Sequence, residues 1–303
     1  MAGMSLTWTL RDTAPDPPGP CALHQHPRYG AAMRAIGADV GWYALTCGAR
    51  TLGTAQLLRR RLGPLRLTWL PRGPVLAPDA DPDAALLPLP GPSIVQPDTP
   101  GTARLYRSHG YRALLTPAHV AELDLTPDPG TLFTGLHGKW RNRLRAAQSG
   151  PLRTHDRPFD PDRDADLLTL DRHQQRARGY RALPPGFTLA FAATHRQATR
   201  LFTAHDRAGM LAYLLFLLHG QTATYHIGWA TPAARRTHAH TLLMWQAITH
   251  LADRGVTRLD LGPIDTETAP GLARFKLGTG ATSRPLGPTL LRLLPHRGAT
   301  IAA

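Results

Sequence analysis

Three apolar runs, RLFTAHD (200–206), MLAYLLFLL (210–218) and TATYHIGWA (222–230), follow one another with only short glycine-bearing turns between them. Runs of this length, rich in branched and aromatic side chains and bounded by turn residues, read as strands, and such short joins permit only antiparallel pairing. A long helix over 234–253 comes next, with Leu242, Leu243, Ala247, Ile248 and Leu251 on one apolar face, and then the strand VTRLDLG. A meander followed by a long helix and a further strand is a mixed α/β layout. The run 210–218 is less than half the roughly 20 residues a membrane-spanning helix needs, so it reads as a buried strand.

The first half is also mixed. We expect strands near 6–10 and 40–46, a helix near 28–36, and two strands flanking the turn RLGPLR, the second running LRLTWL into PRGP. Residues 77–101 are too rich in proline for a long helix and read as a loop with short extended pieces. HVAELDL reads as a strand, and LFTGLHGKWRNRLRAAQSG as one helix stopped by Gly150 and Pro151. Helices near 165–178 and 189–198 precede the meander, and a short helix ending at ARFK precedes a final strand pair.

Composition narrows the function classes. A chain of 303 residues, 42% hydrophobic, has room for one large or two ordinary domains. The two cysteines, Cys21 and Cys47, have no CxxC spacing, which fits a reducing compartment and no disulfide framework. HQH and HAH place their histidines two apart, a spacing that does not share a helix face, so no metal site is expected. No basic segment followed by an apolar run opens the chain, so we expect no secretory signal and a cytoplasmic protein, at most peripheral to the inner face of the membrane. The formal charge of +14 points to an anionic partner: tRNA, a phosphate-bearing substrate or a membrane surface. Preference for arginine over lysine is what a GC-rich coding sequence produces, but that bias does not explain the excess over 21 acidic residues.

Within that bias, Lys139 and Lys276 are the only lysines. A lysine is a compact point charge suited to a single oxyanion, whereas the planar arginine fork suits bidentate phosphate or carboxylate. When an amine attacks an ester or thioester, a fixed cation at the carbonyl oxygen stabilises the transition state more than the ground state. Lys276, at the end of GLARFK, is therefore a better catalytic candidate than any arginine. The competing reading is a surface lysine at a helix C-terminus. Asp260 and Asp265 flank LGPI at a strand's C-terminal end, where an acid could accept the amine's proton or hold an ammonium group; Asp265 equally suits a turn. Lys139 and Arg143 share one side of a basic helix that could grip tRNA or pyrophosphate, or simply face solvent while Trp140 and Leu144 are buried.

WLPRGPVL (69–76), LDL followed by GKWRNRLRAA (138–147), and the segment from ATYHIGWA through LDLGPIDTETAPGLARFKLGTGA (223–281) resemble FemAB-type aminoacyl and acyl transferases. The resemblance covers most of the chain in the right order, and its most specific piece is Asp-Leu-Gly, an acidic loop, then Gly-Leu-x-x-Phe-Lys-x-Gly. It implies an α/β fold with mixed sheets: two GNAT-like domains side by side with a cleft between them. We accordingly expect a first domain over 1–135, completed by 285–303, a connecting basic helix over 136–150, and a second domain over 151–284. It also implies transfer of an acyl or aminoacyl group onto an amine of a cell-envelope precursor such as a peptidoglycan stem peptide. Lys276 matches the family's functional lysine, with Phe275 and Trp229 expected against substrate. The family's phosphate-binding Gln, aromatic and Lys align with Gln25, Tyr29 and Met33, leaving Arg34 one residue off. The family's arginine before Gly-aromatic aligns with Ala177, between Arg176 and Arg178 and just before Tyr180. These two departures put the acceptor's phosphate site in doubt.

Users of coenzyme A on this fold cradle pyrophosphate on a glycine-rich turn that opens the long helix. Here the turn is AARRTHAH, with no glycine, which favours aminoacyl-tRNA as donor over acyl-CoA and requires no cofactor. An acyl-CoA-dependent N-acyltransferase acting on polysaccharide or another envelope amine is the alternative, and a non-catalytic RNA-binding module that kept the fold is a second. GTGATS does not open a βαβ unit and is no dinucleotide fingerprint.

Overall fold

The structure, a computed structural model, describes residues 6–294. The chain divides into two compact units, one formed by residues up to Ala118 and from Pro285 onward, the other by His119–Arg284.

In the first unit β1 (Thr7–Arg11) leads to α1 (Pro27–Ala35), which Pro27 opens at its first turn and His26 caps by accepting from the Arg28 amide. Strands β2 (Asp39–Cys47), β3 (Arg50–Leu62) and β4 (Leu65–Pro71) form a meander, with Gly63 at φ +62° in the β3–β4 turn. Past β5 (Val75–Leu76) the proline-rich stretch holds one short 3-10 turn and then β6 (Ser93–Gln96), which pairs parallel to β4. α2 (Pro100–Ser108) and β7 (Arg112–Leu115) follow. The sheet runs β1-β2-β3-β4-β6-β15-β7, β15 (Thr289–Arg292) arriving from the far end of the chain. Its core gathers Trp8, Tyr43, Leu57, Leu70, Tyr106 and Tyr111.

The second unit opens with β8 (His119–Asp124), α3 (Pro129–Gly135) and α4 (Gly138–Gln148). β9 (Arg153–Arg157), α5 (Pro161–Arg178) and α6 (Pro185–Thr194) lead to the predicted meander: β10 (Thr199–Asp206), β11 (Gly209–His219) and β12 (Thr222–Ala230). α7 (Pro232–Arg236) and α8 (Ala239–Asp253) cross over to β13 (Arg258–Ile264), parallel to β12, before α9 (Pro270–Leu277) and β14 (Thr282–Pro285). The sheet order is β14-β8-β13-β12-β11-β10-β9, so both sheets are mixed, as expected. Its core packs Phe159, Leu168, Leu201, Tyr213, Leu215 and Ile227.

Four details differ from the sequence expectation. The boundary falls before β8 rather than at residue 135, because β8 pairs along β13 from Arg258↔Asp124 to Ile264↔His119. The 136–150 helix is not a connector: α4 belongs to the second unit, burying Trp140, Leu144 and Ala147 and packing on α8. Both long helices are interrupted. Leu136 is extended between α3 and α4, where the His137 amide donates to the Gly278 carbonyl at 3.0 Å, and His238 takes φ +53° between α7 and α8. The last two strands are not a pair, β14 closing the second sheet and β15 entering the first.

α5 shows how locally these elements are specified. Asp160 caps it by accepting from the Asp162 and Arg163 amides, Pro161 fills the first position, and Gly179 ends it at φ +68°. Arg157 on β9 clamps its first turn by donating to buried Asp164 at 2.6 Å. Burial pushes the Asp164 pKa up, but the hydrogen bonds from Arg157 and the Asp160 amide outweigh it and leave the group below its ordinary value. Asp164→Asn should therefore lower stability by about 1.5–3 kcal/mol at neutral pH. A carboxylate with a depressed folded pKa contributes its stability above the unfolded value and loses it as pH falls through the folded one. The gap between native and variant, read from urea unfolding midpoints, should therefore shrink below about pH 4.

Candidate active site

β12 and β13 are hydrogen-bonded neighbours for only three residue pairs, Thr222↔Arg258, Ala223↔Leu259 and Thr224↔Asp260. Beyond them β12 stays with β11 through a bulge that leaves His226 without a partner in the register, and β13 stays with β8. The two strands separate, and the candidate residues collect where they do.

Lys276 lies on α9, which Pro270 opens, and is 5% exposed. Its Nζ donates to the Pro263 carbonyl on β13 at 2.7 Å. Gly262 takes φ +79°, a conformation that favours glycine, and a Cβ there would lie in ordinary contact with Nζ at 3.6 Å. Burial lowers the Lys276 pKa to about 8, opposed by the attraction of Asp260. Asp260 is itself buried and accepts from the Gly262 amide at 2.7 Å. Asp265 is different. Exposed in the loop after β13, it accepts from the Glu267 and Thr268 amides, both at 2.8 Å, and from the Thr268 hydroxyl. The Thr268 hydroxyl, then its amide, hold the Asp265 carboxyl below its ordinary pKa. Its oxygens build a turn, which was the alternative reading from sequence.

The next side chain, Phe275, has its ring centroid 6.2 Å from Trp140 and 6.0 Å from His240. Trp140 fastens α9 in place: its Nε1 donates to the Phe275 carbonyl at 3.2 Å, and its ring fills the space a Cβ on Gly278 would need. His240, in the first turn of α8, donates through Nε2 to the Trp229 carbonyl at 2.9 Å. A carbonyl only accepts, so the proton resides on Nε2 and the Nδ1 lone pair is left available. Burial lowers the His240 pKa, the Trp229 bond opposes this, and Arg178 and Arg235 lower it further, so the ring is neutral at pH 7. Trp229 stacks on Tyr213 at 5.9 Å. His226 is held at a pKa of about 4 by burial and bonds the Thr188 hydroxyl at 2.8 Å.

A polar group adjoins the same end of β12. Gln174 donates to the Gly228 carbonyl at 2.8 Å and to the Tyr180 hydroxyl at 3.2 Å, while Gln175 donates to the buried Asp171 carboxylate at 2.6 Å. Burial raises the pKa of Asp171 and of Tyr180. Arg178 acts electrostatically on Tyr180, Tyr225 and His240, so it belongs to this neighbourhood, and Arg176 lines an adjoining shallow hollow with Gln175, Tyr180, Arg172 and Arg181.

Lys276, Asp260, Phe275, Trp229, Tyr180 and Arg178 thus belong to one linked set of contacts around the parting of the strands. Lys139 and Arg143 are exposed on α4, away from the buried stripe that carries Trp140. Arg34 lies in the first unit, its guanidinium 3.7 Å over the Trp42 ring and donating to the Val40 carbonyl at 2.9 Å, where it ties α1 to β2. Gln25 and Tyr29 are buried there, Gln25 bonded to the Gln56 backbone and the Pro71 carbonyl. Sequence reasoning missed His240, Trp140, Asp171 and Gln174. The HAH motif and the tryptophan of GKWRNR were visible, but the partner of Trp140, Phe275, lies 135 positions along the chain. Among the described residues, no group of three or more His, Cys, Asp or Glu could hold a metal ion. No described helix is long and apolar enough to cross a membrane.

The family model of the acetyltransferase (GNAT) domain matches residues 138–280, the stretch that contains this whole constellation except the β8 side of β13. No curated protein matches the sequence. The crystal structure of FemX superposes with TM-score 0.73 at 12% identity, covering 90% of this chain and 92% of that one. A tandem GNAT protein from the clavulanic acid biosynthesis pathway gives TM-score 0.56 at 13% identity, covering 95% of this chain and 98% of that one. The C-terminal domain of a putative lysylphosphatidylglycerol synthetase from Agrobacterium fabrum gives TM-score 0.54 at 15% identity, covering 88% and 87%. Residues 138–280 thus match a GNAT acetyltransferase domain, and the described residues share the fold of FemX and of the tandem GNAT protein.

Proposed function

We propose that the chain transfers an acyl or aminoacyl group onto an amine, with Lys276 holding the oxygen on which negative charge develops. The observation that carries this reading is a nearly buried lysine tethered to a backbone carbonyl beside the parting of two parallel strands. A buried cation held by the Pro263 carbonyl and the attraction of Asp260 is costly to fold and valuable to a developing anion. As the amine attacks, its nitrogen forms a bond to the carbonyl carbon, the carbonyl oxygen takes the electron pair, and a proton leaves the nitrogen. Collapse restores the carbonyl and breaks its bond to the donor oxygen or sulfur, which takes up the proton that left the nitrogen and departs as the alcohol or thiol. Asp260 keeps Lys276 charged rather than acting as the base. His240 Nδ1 takes the amine's proton, since the ring is neutral and oriented through Nε2.

The donor we favour is aminoacyl-tRNA and the acceptor an amine of a cell-envelope precursor such as peptidoglycan stem peptide, supported by the FemX-like fold, the charge of +14 and the absence of glycine in the turn before α8. Lys139 and Arg143, exposed on α4, and Arg176 and Arg178 in the last turn of α5 offer cations to a tRNA backbone. Acyl-CoA is the second reading, favoured by the acetyltransferase match.

Incubation with charged tRNA and, separately, acyl-CoA, each with a pool of envelope precursors, followed by mass spectrometry of the acceptor amines, tests both readings. Product formed from acyl-CoA alone overturns the tRNA preference. Lys276→Met should reduce turnover about 10²–10³-fold while donor binding persists; unchanged turnover sinks the assignment. Because the charged form of Lys276 is lost as pH rises through about 8, the rate of the native enzyme should fall on an alkaline limb centred near that value.

His240→Gln should cost about 10²-fold or more in kcat with little change in KM, and added imidazole should restore part of it. A purely structural role for His240 would instead lower the melting temperature and give no rescue.

A further inference from the structure

Helix α5 buries two aspartates and treats them differently. Asp164 is clamped by Arg157, whereas Asp171, two turns further on and 6% exposed, pairs with no cation among the described residues. Its Oδ2 accepts from Gln175 at 2.6 Å, while its Oδ1 has only the Tyr180 hydroxyl at 3.5 Å, long for a hydrogen bond. Burial raises the Asp171 pKa, and these two bonds oppose it. A buried carboxylate faced only by neutral donors is costly, and in a chain with 35 lysines and arginines the missing counter-charge is not for want of cations.

The two residues that cover this carboxylate also line the adjoining hollow, which has a volume of about 320 Å³. Tyr180 is 41% exposed, so the group that screens Oδ1 from the hollow is one that water already reaches. On its other side the Tyr180 hydroxyl accepts from Gln174, which also donates to the Gly228 carbonyl, so a row of hydrogen bonds joins Asp171 to β12. Gly228 lies four residues past Thr224, the last β12 residue paired with β13, and Pro263 lies three past its partner Asp260. The carbonyl that Gln174 takes and the one that Lys276 takes therefore stand at similar heights on the two sides of the opening. Tyr225, whose hydroxyl fills the space a Cβ on Gly228 would need, makes no hydrogen bond with a described residue and is also within electrostatic reach of Asp171.

We propose that Asp171 holds an ammonium group of the donor, Oδ1 accepting from it where the Tyr180 hydroxyl now sits, so that the transferred group is an aminoacyl rather than a plain acyl group. The proposal rests on the acyl-transfer reading for the placing of the reacting carbonyl at Lys276. An ammonium group supplies the charge that Asp171 lacks and donates three hydrogen bonds, whereas a plain acyl chain would leave the carboxylate unpaired. Arg172, Arg176 and Arg181 on the hollow repel a free cation, so the ammonium enters as part of a molecule that also carries anionic groups. Its source is either the amine next to the carbonyl or the side chain of a basic aminoacyl group, and the test separates the two.

The full chain is titrated by calorimetry with three stable donor mimics, adenosine monophosphates whose ribose carries, through an amide, an L-alanyl, an L-lysyl or a propionyl group. The alanyl or the lysyl mimic should bind about tenfold or more tightly than the propionyl one. A preference for both assigns the amine next to the carbonyl, and a preference for the lysyl mimic alone assigns the side chain. Asp171→Asn keeps an oxygen for Gln175 and removes the charge; it should weaken the preferred mimic about ten- to a hundredfold and leave the propionyl mimic within about twofold of native. Asp166→Asn, at an exposed acid on the same helix, should leave all three within about twofold, and melting curves check that each variant is folded. Equal affinity of the native chain for all three mimics, no binding of any, an unchanged preference in Asp171→Asn or an equal loss in Asp166→Asn overturns the proposal. The two readings fail separately: an Asp171-dependent preference without turnover removes acyl transfer and leaves this site, while equal turnover of propionyl and aminoacyl donors removes this site and leaves acyl transfer.

Discussion

Three paired residues on each of β12 and β13 hold the candidate active site together. Were the ladder longer, the Pro263 carbonyl would be spent on a neighbouring strand and Lys276 would have no anchor. Were it absent, α8 and α9 would have no common floor. The short ladder fixes where the strands begin to separate, and each strand then takes its remaining support from its outer partner, β11 or β8. The strands themselves supply Asp260 and Trp229, and helix ends supply the rest: Phe275 and Lys276 from the last turn of α9, His240 from the first turn of α8, Tyr180 from just past α5.

The electrostatics follow from that arrangement. Lys276 is buried by α9 packing against Trp140 on one side and its own reach to β13 on the other, and burial is the larger influence on its pKa. Asp260 tempers the effect without cancelling it. The His240 pKa is lowered by the same cause, so burial acts in one direction on both an imidazole and an ammonium group.

Much of this was legible in the sequence, and for identifiable reasons. The meander, the crossover helix and β13 are encoded by short-range periodicity and glycine turns, which local pattern reading captures. Lys276 stood out because the chain otherwise writes its positive charge as arginine. The break between α3 and α4 was not legible, because it is set by a hydrogen bond from His137 to Gly278, residues with no local relation. Trp140 and His240 escaped for the same reason: Trp140 acts on Phe275 across 135 positions of chain, and the HAH spacing was weighed only as a metal motif. Asp265 shows the converse, a residue whose functional look came from its neighbourhood while its oxygens serve the turn.

β8 has a consequence for how the second unit can be handled as a separate object. The family match begins at residue 138, yet β8 occupies residues 119–124 and supplies the partner along one whole side of β13. A fragment trimmed to the family boundaries would keep Lys276 and its helix but bare the inner edge of the strand that carries Pro263, creating an adhesive surface where the native sheet has an interior. Arg284, whose guanidinium clasps Glu122 on β8 through two 2.7 Å hydrogen bonds, would be lost with it. The smallest piece that preserves the site is thus delimited by the sheet, from His119 to Arg284, rather than by the motif.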